Sequence, residues 1–135
     1  MKSKYFKIFE LVPESLYKAK GDSAWRYIPE QLIMAIDTIK ERFPNGTATI
    51  NNYFWGGNRK WSGLRTPESK YYSSTSMHSF MMAADIVFSD YSADEVRKDI
   101  INNPDVYPTI KGLELDVSWV HIDCRNEDKL ITFTK

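Results

Sequence analysis

Apolar residues recur at spacings of four, three and four along the segment from Pro29 to Phe43. Such spacing places them on one face of a helix. Pro29 suits the first helical turn, and the run Pro44-Asn45-Gly46 is typical of a helix end. The pattern therefore predicts an amphipathic helix over 29–43. The residues that share its apolar face are Leu32, Ile36, Ile39 and Phe43.

A second helix is predicted after Ser92. Ser92 and Glu95 have the spacing of a capping box, in which each side chain bonds the other residue's backbone N–H. The helix then runs to about Asn102. Its apolar stripe consists of Val96 and Ile100, with Ile101 as a further candidate.

Five segments rich in β-branched and aromatic residues predict strands. The third and fourth are close enough in sequence to form a hairpin. Strands and helices do not alternate strictly, which favours an α+β fold over a doubly wound sheet. The length fits one domain over residues 1–135. The predicted strands are Thr47–Phe54, Ala83–Phe88, Thr109–Leu115, Trp119–Cys124 and Lys129–Thr134.

The segment from Trp55 to Met77 is rich in Gly, Ser, Asn and Tyr and predicts a long irregular loop. Loops of this length in compact domains are often functional. Its aromatic residues would either line a groove for sugar or peptide or serve as core packing and a lid. The aromatic residues in and just before this loop are Tyr53, Phe54, Trp55, Trp61, Tyr71 and Tyr72.

Charge and composition exclude several classes of protein. Eighteen basic residues balance eighteen acidic ones, and no basic stripe with interleaved aromatics predicts nucleic-acid binding. The single cysteine, Cys124, cannot form an intrachain disulfide and is expected to be a small buried strand residue. No apolar run has the length of a signal peptide core or a membrane span. We therefore expect synthesis in the cytosol without membrane insertion.

The only two histidines lie in segments that suggest metal binding. Together with Asp85, His78 and His121 make a set of three ligands that zinc accepts, with the fourth position left for water. The seven-residue separation of His78 and Asp85 suits a turn that leads into a strand. Either histidine taken alone is more often a structural residue, and Asp85 alone would be a turn or capping residue.

Four motifs favour metal binding over a purely structural role for these residues. Taken in order along the chain, they resemble the zinc peptidase family that includes D-Ala-D-Ala carboxypeptidases and Hedgehog domains. The resemblance covers most of the chain, since Glu10–Pro13 and the helix from Pro29 are similar to the start of small phage-encoded members. It implies a small antiparallel sheet with helices packed on it. The motifs are Trp61–Pro67, Ser76-x-His78, Ala83–Ile86 and Trp119–Arg125.

The resemblance assigns the Zn²⁺ ligands to His78, Asp85 and His121. It also places Arg65 beside the metal, where a guanidinium stabilises an oxyanion or holds a substrate carboxylate. The alternative for Arg65 is a hydrogen-bond donor that fixes the loop.

Two positions depart from the family pattern. Met81 replaces a glycine after the first histidine, which implies a rearranged turn or a narrowed pocket. Ser118 occupies the position, three residues before the last ligand, where several branches carry the general base. Three other carboxylates are candidates for the general base: Asp116, Glu114 and Asp123. Asp116 and Glu114 rank ahead because family bases precede the last ligand. Asp123 follows that ligand and could instead orient His121 or Arg65. Each carboxylate also has a structural or surface role as its alternative.

The function implied by the resemblance is zinc-dependent hydrolysis of peptide bonds in cell-wall peptidoglycan, as a carboxypeptidase or an endopeptidase. The expected partner is a peptidoglycan peptide, with no nucleic acid and no membrane, and the expected state is a monomer. A small form of this kind fits a phage enzyme that is delivered or released to the cell wall. The alternative is a catalytically degenerate, zinc-stabilised binding or structural module.

Overall fold

The sequence forms three α-helices and five short strands in a computed structural model that describes all residues from Met1 to Lys135. Four 3₁₀ turns lie at Ile8–Glu10, Gly21–Tyr27, Tyr53–Trp55 and Met77–Phe80. The helices are α1 (Glu14–Lys20), α2 (Glu30–Arg42) and α3 (Ala93–Asn102). The strands are β1 (Ala48–Thr49), β2 (Ala83–Phe88), β3 (Gly112–Glu114), β4 (Val120–Asp123) and β5 (Ile131–Phe133).

The five strands form one sheet in the order β1-β2-β4-β3-β5. The α+β class is therefore confirmed, but the expectation of an antiparallel sheet is wrong in one respect, since β5 pairs with β3 in parallel. The chain reverses after β4 and passes to the free edge of β3. Because β5 runs opposite to β4, and β3 also runs opposite to β4, β5 and β3 run in the same direction. The sheet is therefore mixed.

Alternation along the central strands separates the apolar side chains from the ionisable ones. Ala84 and Ile86 of β2 belong to the hydrophobic core, as do Leu113 of β3 and Val120 and Ile122 of β4. The buried face of α2 and the stripe of α3 belong to the same core. The residues between these apolar positions belong to the opposite face of the sheet and include Asp85, Glu114, His121 and Asp123.

Most of the predicted elements are confirmed. Helix α2 begins and ends within one residue of its predicted bounds, and β2 has the predicted bounds. Ser92 accepts a hydrogen bond from the Glu95 N–H at the start of α3, while Ile101 is exposed and lies outside the buried stripe. The predicted hairpin is formed by β3 and β4. Cys124 is buried, directly after β4.

The prediction of a strand over Thr47–Phe54 is wrong beyond its first residues. Asparagine side chains take over the backbone hydrogen bonding there, as they do in turns. Asn51 bonds the Val12 carbonyl and the Ser62 N–H, and the Asn52 side chain accepts from the Arg59 N–H. Only Ala48–Thr49 pairs with β2.

Helix α1 was not predicted, because none of its seven residues is buried and its sequence shows no apolar periodicity. None of the helices combines the length and the apolar character needed to cross a membrane.

Candidate metal centre

Sheet register brings two of the predicted ligands together. Asp85 of β2 lies directly opposite His121 of β4 in an antiparallel pair. Because both side chains leave the same face of the sheet, the carboxylate and the imidazole meet. The distance from His121 Nδ1 to Asp85 Oδ1 is 2.9 Å, and both residues are buried.

The third predicted ligand comes from the 3₁₀ turn that leads into β2. His78 lies within Met77–Phe80, where the Ser76 hydroxyl caps the turn by accepting from the His78 N–H. Met81 ends the turn in the left-handed conformation with φ 57°. The chain then enters β2, so seven residues suffice to bring His78 Nε2 within 3.3 Å of Asp85 Oδ1.

The three donor atoms fit a small cation. One donor atom each from His78, Asp85 and His121 lies within 4.8 Å of the other two. Ligands about 2.0–2.1 Å from a tetrahedral zinc lie roughly 3.3 Å apart. Two of the three separations, 3.3 and 2.9 Å, are close to that value. The cluster can therefore bind a metal ion with little movement.

Both imidazoles are oriented by a second hydrogen bond. The His78 Nδ1–H donates to the Gly63 carbonyl at 2.8 Å, which leaves the lone pair of Nε2 facing Asp85. His121 Nε2 lies 3.0 Å from Asp123 Oδ2. When Nε2 carries the proton of this hydrogen bond, the lone pair of Nδ1 is available to bind a metal ion. Carbonyl and carboxylate partners of this kind orient histidine ligands in metal sites.

Strong electrostatic coupling accompanies this geometry. Burial opposes ionisation of Asp85, but hydrogen bonds from His121 and His78 outweigh it and hold the Asp85 pKa well below its usual range. Burial likewise opposes the charge on His121, yet its contacts with Asp123 and Asp85 raise the His121 pKa to about 9. A divalent cation competes with that imidazole proton for the same donor atoms.

Arg65 lies beside the cluster and serves two contacts. Its Nη2 donates to Asp85 Oδ2 at 3.1 Å, and its Nε donates to the Trp61 carbonyl at 2.8 Å. The Nη1 group makes no hydrogen bond within the chain, and the side chain is half-buried. Both expected roles are thus compatible with the geometry, since Arg65 fixes the loop and also presents free donors to the cleft.

The segment from Ser62 to Arg65 holds the site together through its backbone, which sequence reasoning did not anticipate. The Ser62 carbonyl accepts from the Asp85 N–H at 2.8 Å, and the Arg65 N–H donates to the His78 carbonyl at 3.1 Å. Gly63 packs so closely on Leu11 that an added Cβ would overlap the Leu11 carbonyl oxygen. The glycine is therefore required by packing, not by a positive φ.

The three candidate bases lie in different environments. Glu114 is buried at the end of β3 and lines the cleft above the cluster, and its side chain makes no hydrogen bond or ion pair within the chain while its oxygens stay accessible to solvent. Asp116 is exposed in the β3–β4 turn at φ 61° and does not line the cleft. Asp123 is fully buried and bound by both His121 and Arg125.

The two departures from the family pattern also have a structural outcome. Met81 keeps the positive φ expected of glycine, and its side chain is buried in the core, so the expected narrowing of the pocket does not occur. Ser118 is exposed and lines a separate groove beside α3.

The cleft over the cluster has a volume of about 400 Å³. None of the six aromatic residues predicted as a groove or as core packing and a lid lines it, although the Tyr71 ring lies 6.0 Å from the Arg65 guanidinium carbon. Trp119, just before β4, and Phe133, at the end of β5, line it instead. Phe133 packs edge-on against His121 and under the Arg125 guanidinium.

Searches of protein-family models, curated proteins and solved structures found no significant match to this chain.

Proposed function

We propose that this protein is a zinc-dependent hydrolase of peptide bonds in cell-wall peptidoglycan, with the fold of the D-Ala-D-Ala carboxypeptidase and Hedgehog family. The observation that carries the proposal is Glu114. The Glu114 side chain has no hydrogen-bond or ion-pair partner in the chain, and its oxygens stay accessible to solvent, so the carboxylate is free to accept a proton. It lines the same cleft as His78, Asp85 and His121, where a hydrolase needs a proton acceptor.

The ligand set supports zinc as the metal. Two imidazoles and one carboxylate form the ligand set of several catalytic zinc sites, which keep a fourth position open. His78, Asp85 and His121 would hold the ion through Nε2, Oδ1 and Nδ1. When bound, zinc supplies polarisation of a water molecule and of the scissile carbonyl.

The chain's own residues account for the remaining chemistry. Glu114 accepts a proton from the attacking water as its oxygen adds to the carbonyl carbon, and then returns that proton to the amine nitrogen as the C–N bond breaks, which leaves a carboxylic acid and a free amine. Arg65 directs its free Nη1 donors at the negative charge on the carbonyl oxygen or at a substrate carboxylate. Asp123, clamped by Arg125, keeps the His121 ring in place.

The substrate class rests on the motif resemblance and on the charge of the cleft. Of the cations that line it, Arg65 is paired with Asp85 and Arg125 with Asp123. The free Nη1 group of Arg65 and the Lys135 amine are therefore the groups available to a substrate carboxylate. Stem peptides of the cell wall carry free carboxylates and meet that requirement. The proposal includes delivery of the protein to the wall, as in the small phage enzymes that the motifs resemble.

A second function is favoured by one observation. Ser118 occupies the base position of several family branches, and it lines a different groove from the cluster. If Glu114 does not act as a base, the chain is a zinc-stabilised binding module of the same fold.

The hydrolase and the binding module can be distinguished by the effect of replacing Glu114. Glu114→Gln removes the proton acceptor but preserves size and leaves all three metal ligands in place. We expect zinc content to stay at about one ion per chain. Release of peptides from purified cell walls should fall on the order of a hundredfold. The matched control is Asp116→Asn, an exposed carboxylate two residues along the same hairpin, which should lose little activity.

The proposal has clear points of failure. If the protein contains no zinc after incubation with the metal, the proposed metal site is wrong. Zinc-loaded parent protein that releases nothing from cell walls would favour the binding module. Equal losses in Glu114→Gln and Asp116→Asn would show that Glu114 is not the base. Removal of metal by a chelator should abolish hydrolysis and zinc should restore it.

A further inference from the structure

A second cavity adjoins the cleft. It has a volume of about 490 Å³ and lies beyond Met77 and Arg125, both of which line the two cavities. The two cavities are therefore neighbours that share part of their walls, and we call the second one the side groove. The side groove has no ionisable group of the metal cluster in its wall.

The side groove has an apolar wall that is unusually exposed. Phe80 leaves 54% of its surface open to solvent, although it follows two residues after the buried His78. Met77 and Met82 are half-buried beside it. Methionine and phenylalanine side chains adapt to apolar groups of varied shape. The lining also contains the polar residues Gln31, Lys111, Asn126 and Glu127.

Short connections fix this wall relative to the metal cluster. Phe80 lies on the same 3₁₀ turn as His78, so the ring and the ligand move together. The Met82 N–H donates to the Met77 carbonyl, and the Met82 carbonyl accepts from the Cys124 N–H at the end of β4. Arg125, on the boundary between the cavities, is held by two hydrogen bonds to Asp123.

We propose that the side groove binds a further segment of the substrate peptide, so that the enzyme acts on extended peptides, with Phe80 as a specificity-determining residue. The inference rests on the proposed function and adds to it the length of the substrate. The occupant is the substrate itself, because the side groove lies next to the cleft and shares Met77 and Arg125 with its wall. An apolar side chain of the peptide lies on Phe80 and Met82, and the polar residues of the lining face its backbone.

This arrangement has a kinetic consequence. Contacts remote from the scissile bond position the substrate and raise the rate of the chemical step as well as affinity. Burial of part of a phenylalanine ring against an apolar group is worth about tenfold in kcat/KM. A peptide too short to reach Phe80 gains none of this and is hydrolysed at the basal rate.

The test compares a short stem peptide with the same peptide lengthened at either end. The zinc-loaded parent should hydrolyse one of the lengthened peptides about tenfold better by kcat/KM. Phe80→Ser should lose that advantage and keep its rate on the short peptide, whereas Phe80→Leu should retain part of the advantage. The control is Phe54→Ser, because Phe54 is exposed to a similar degree, 50%, but does not line either cavity.

The possible outcomes test the side groove and the proposed function separately. A parent that hydrolyses short and long peptides equally, or a Phe80→Ser variant with an unchanged preference, overturns the side groove and leaves the hydrolase intact. A parent that hydrolyses no peptide overturns the proposed function, and the side groove with it. Equal effects of Phe80→Ser and Phe54→Ser would also contradict the assignment.

Discussion

The candidate metal centre has two halves that are built in different ways. In the strand half, Asp85 and His121 are cross-strand neighbours, and the alternation of side chains fixes which face they occupy. Asp123 lies two residues further along the same face and bonds His121. Regular pairing in the sheet therefore determines the position of each functional group.

In the loop half, no strand pairing positions the side chains, since His78 lies on a single 3₁₀ turn and Arg65 in an irregular segment. His78 and Arg65 are held by carbonyl groups and N–H groups of neighbouring segments, above all Gly63 and the Leu11 backbone behind it. The two halves meet at backbone level, where the Asp85 N–H donates to the Ser62 carbonyl. The loop half thus depends on close packing of one glycine, whereas the strand half depends on a charged hydrogen-bond network.

The difference implies that the two halves fail in different ways. A single added methyl group should displace the loop half, since a backbone carbonyl cannot move aside without breaking its own hydrogen bonds. The strand half should keep its geometry when a charge is removed, because the sheet still holds the chain.

The largest effect is expected from Gly63→Ala. The added Cβ overlaps the Leu11 carbonyl, so the segment must move and His78 loses its orienting partner. We expect zinc affinity to fall about a hundredfold. The free energy of unfolding should fall by about 3 kcal/mol. Competition with a zinc-sensitive dye and urea denaturation measure the two quantities.

Gly21→Ala is the control for that variant. Gly21 has φ 55° and ψ −138°, outside the left-handed helical region, and open space around its Cβ position, so alanine there introduces backbone strain without a clash. It should cost about 1–3 kcal/mol of stability and leave zinc affinity unchanged. Equal zinc affinity in Gly63→Ala and the parent would show that the loop half does not depend on this contact.

A smaller effect is expected from Asp123→Asn in the strand half. The amide oxygen still accepts from His121 Nε2, but the charge that balances Arg125 and strengthens the imidazole as a ligand is lost. Zinc affinity should therefore fall on the order of tenfold. The matched control is Asp99→Asn, which disrupts the other bidentate aspartate–arginine pair, with Arg42, outside the site. A loss of zinc affinity in both variants would attribute the effect to general destabilisation.

The same contrast explains what the sequence could predict. Asp85 and His121 lie on strands whose period of two is visible in the residues themselves, and the bounds of β2 were predicted correctly. The ligand set was predicted by resemblance and is compatible with the geometry. That the ion is zinc and that the chain is a peptidase stay predictions.

What the sequence could not predict depends on long-range contacts of the backbone. Nothing local shows that Gly63 packs on Leu11, which is distant in sequence. The choice of a general base among the three carboxylates also depends on the three-dimensional structure. Asp116 and Glu114 could not be ranked by sequence, because the reach of a residue in a hairpin depends on where the strand ends. Strand β3 ends at Glu114, which leaves Asp116 in the turn.

The smallest effect concerns Met81, which joins the two halves. Its positive φ costs a non-glycine residue about 1–2 kcal/mol, but its buried side chain contributes about 2 kcal/mol or more to the core. Both Met81→Ala and Met81→Gly should therefore destabilise the fold. Because only glycine removes the strain, Met81→Gly should be more stable than Met81→Ala by about 1 kcal/mol in urea denaturation.

The neighbouring Met82 provides the reference for this difference. Its φ is not positive, so glycine there adds backbone freedom to the unfolded state without relieving strain. Met82→Gly should be less stable than Met82→Ala by roughly 0.5–1 kcal/mol, the opposite sign to the pair at Met81. The sign reversal over one residue would locate the strain at the junction between the 3₁₀ turn of His78 and the strand of Asp85. If glycine is the less stable choice at both positions, Met81 is not strained, and the junction owes its shape to the side chain of Met81 and not to its backbone.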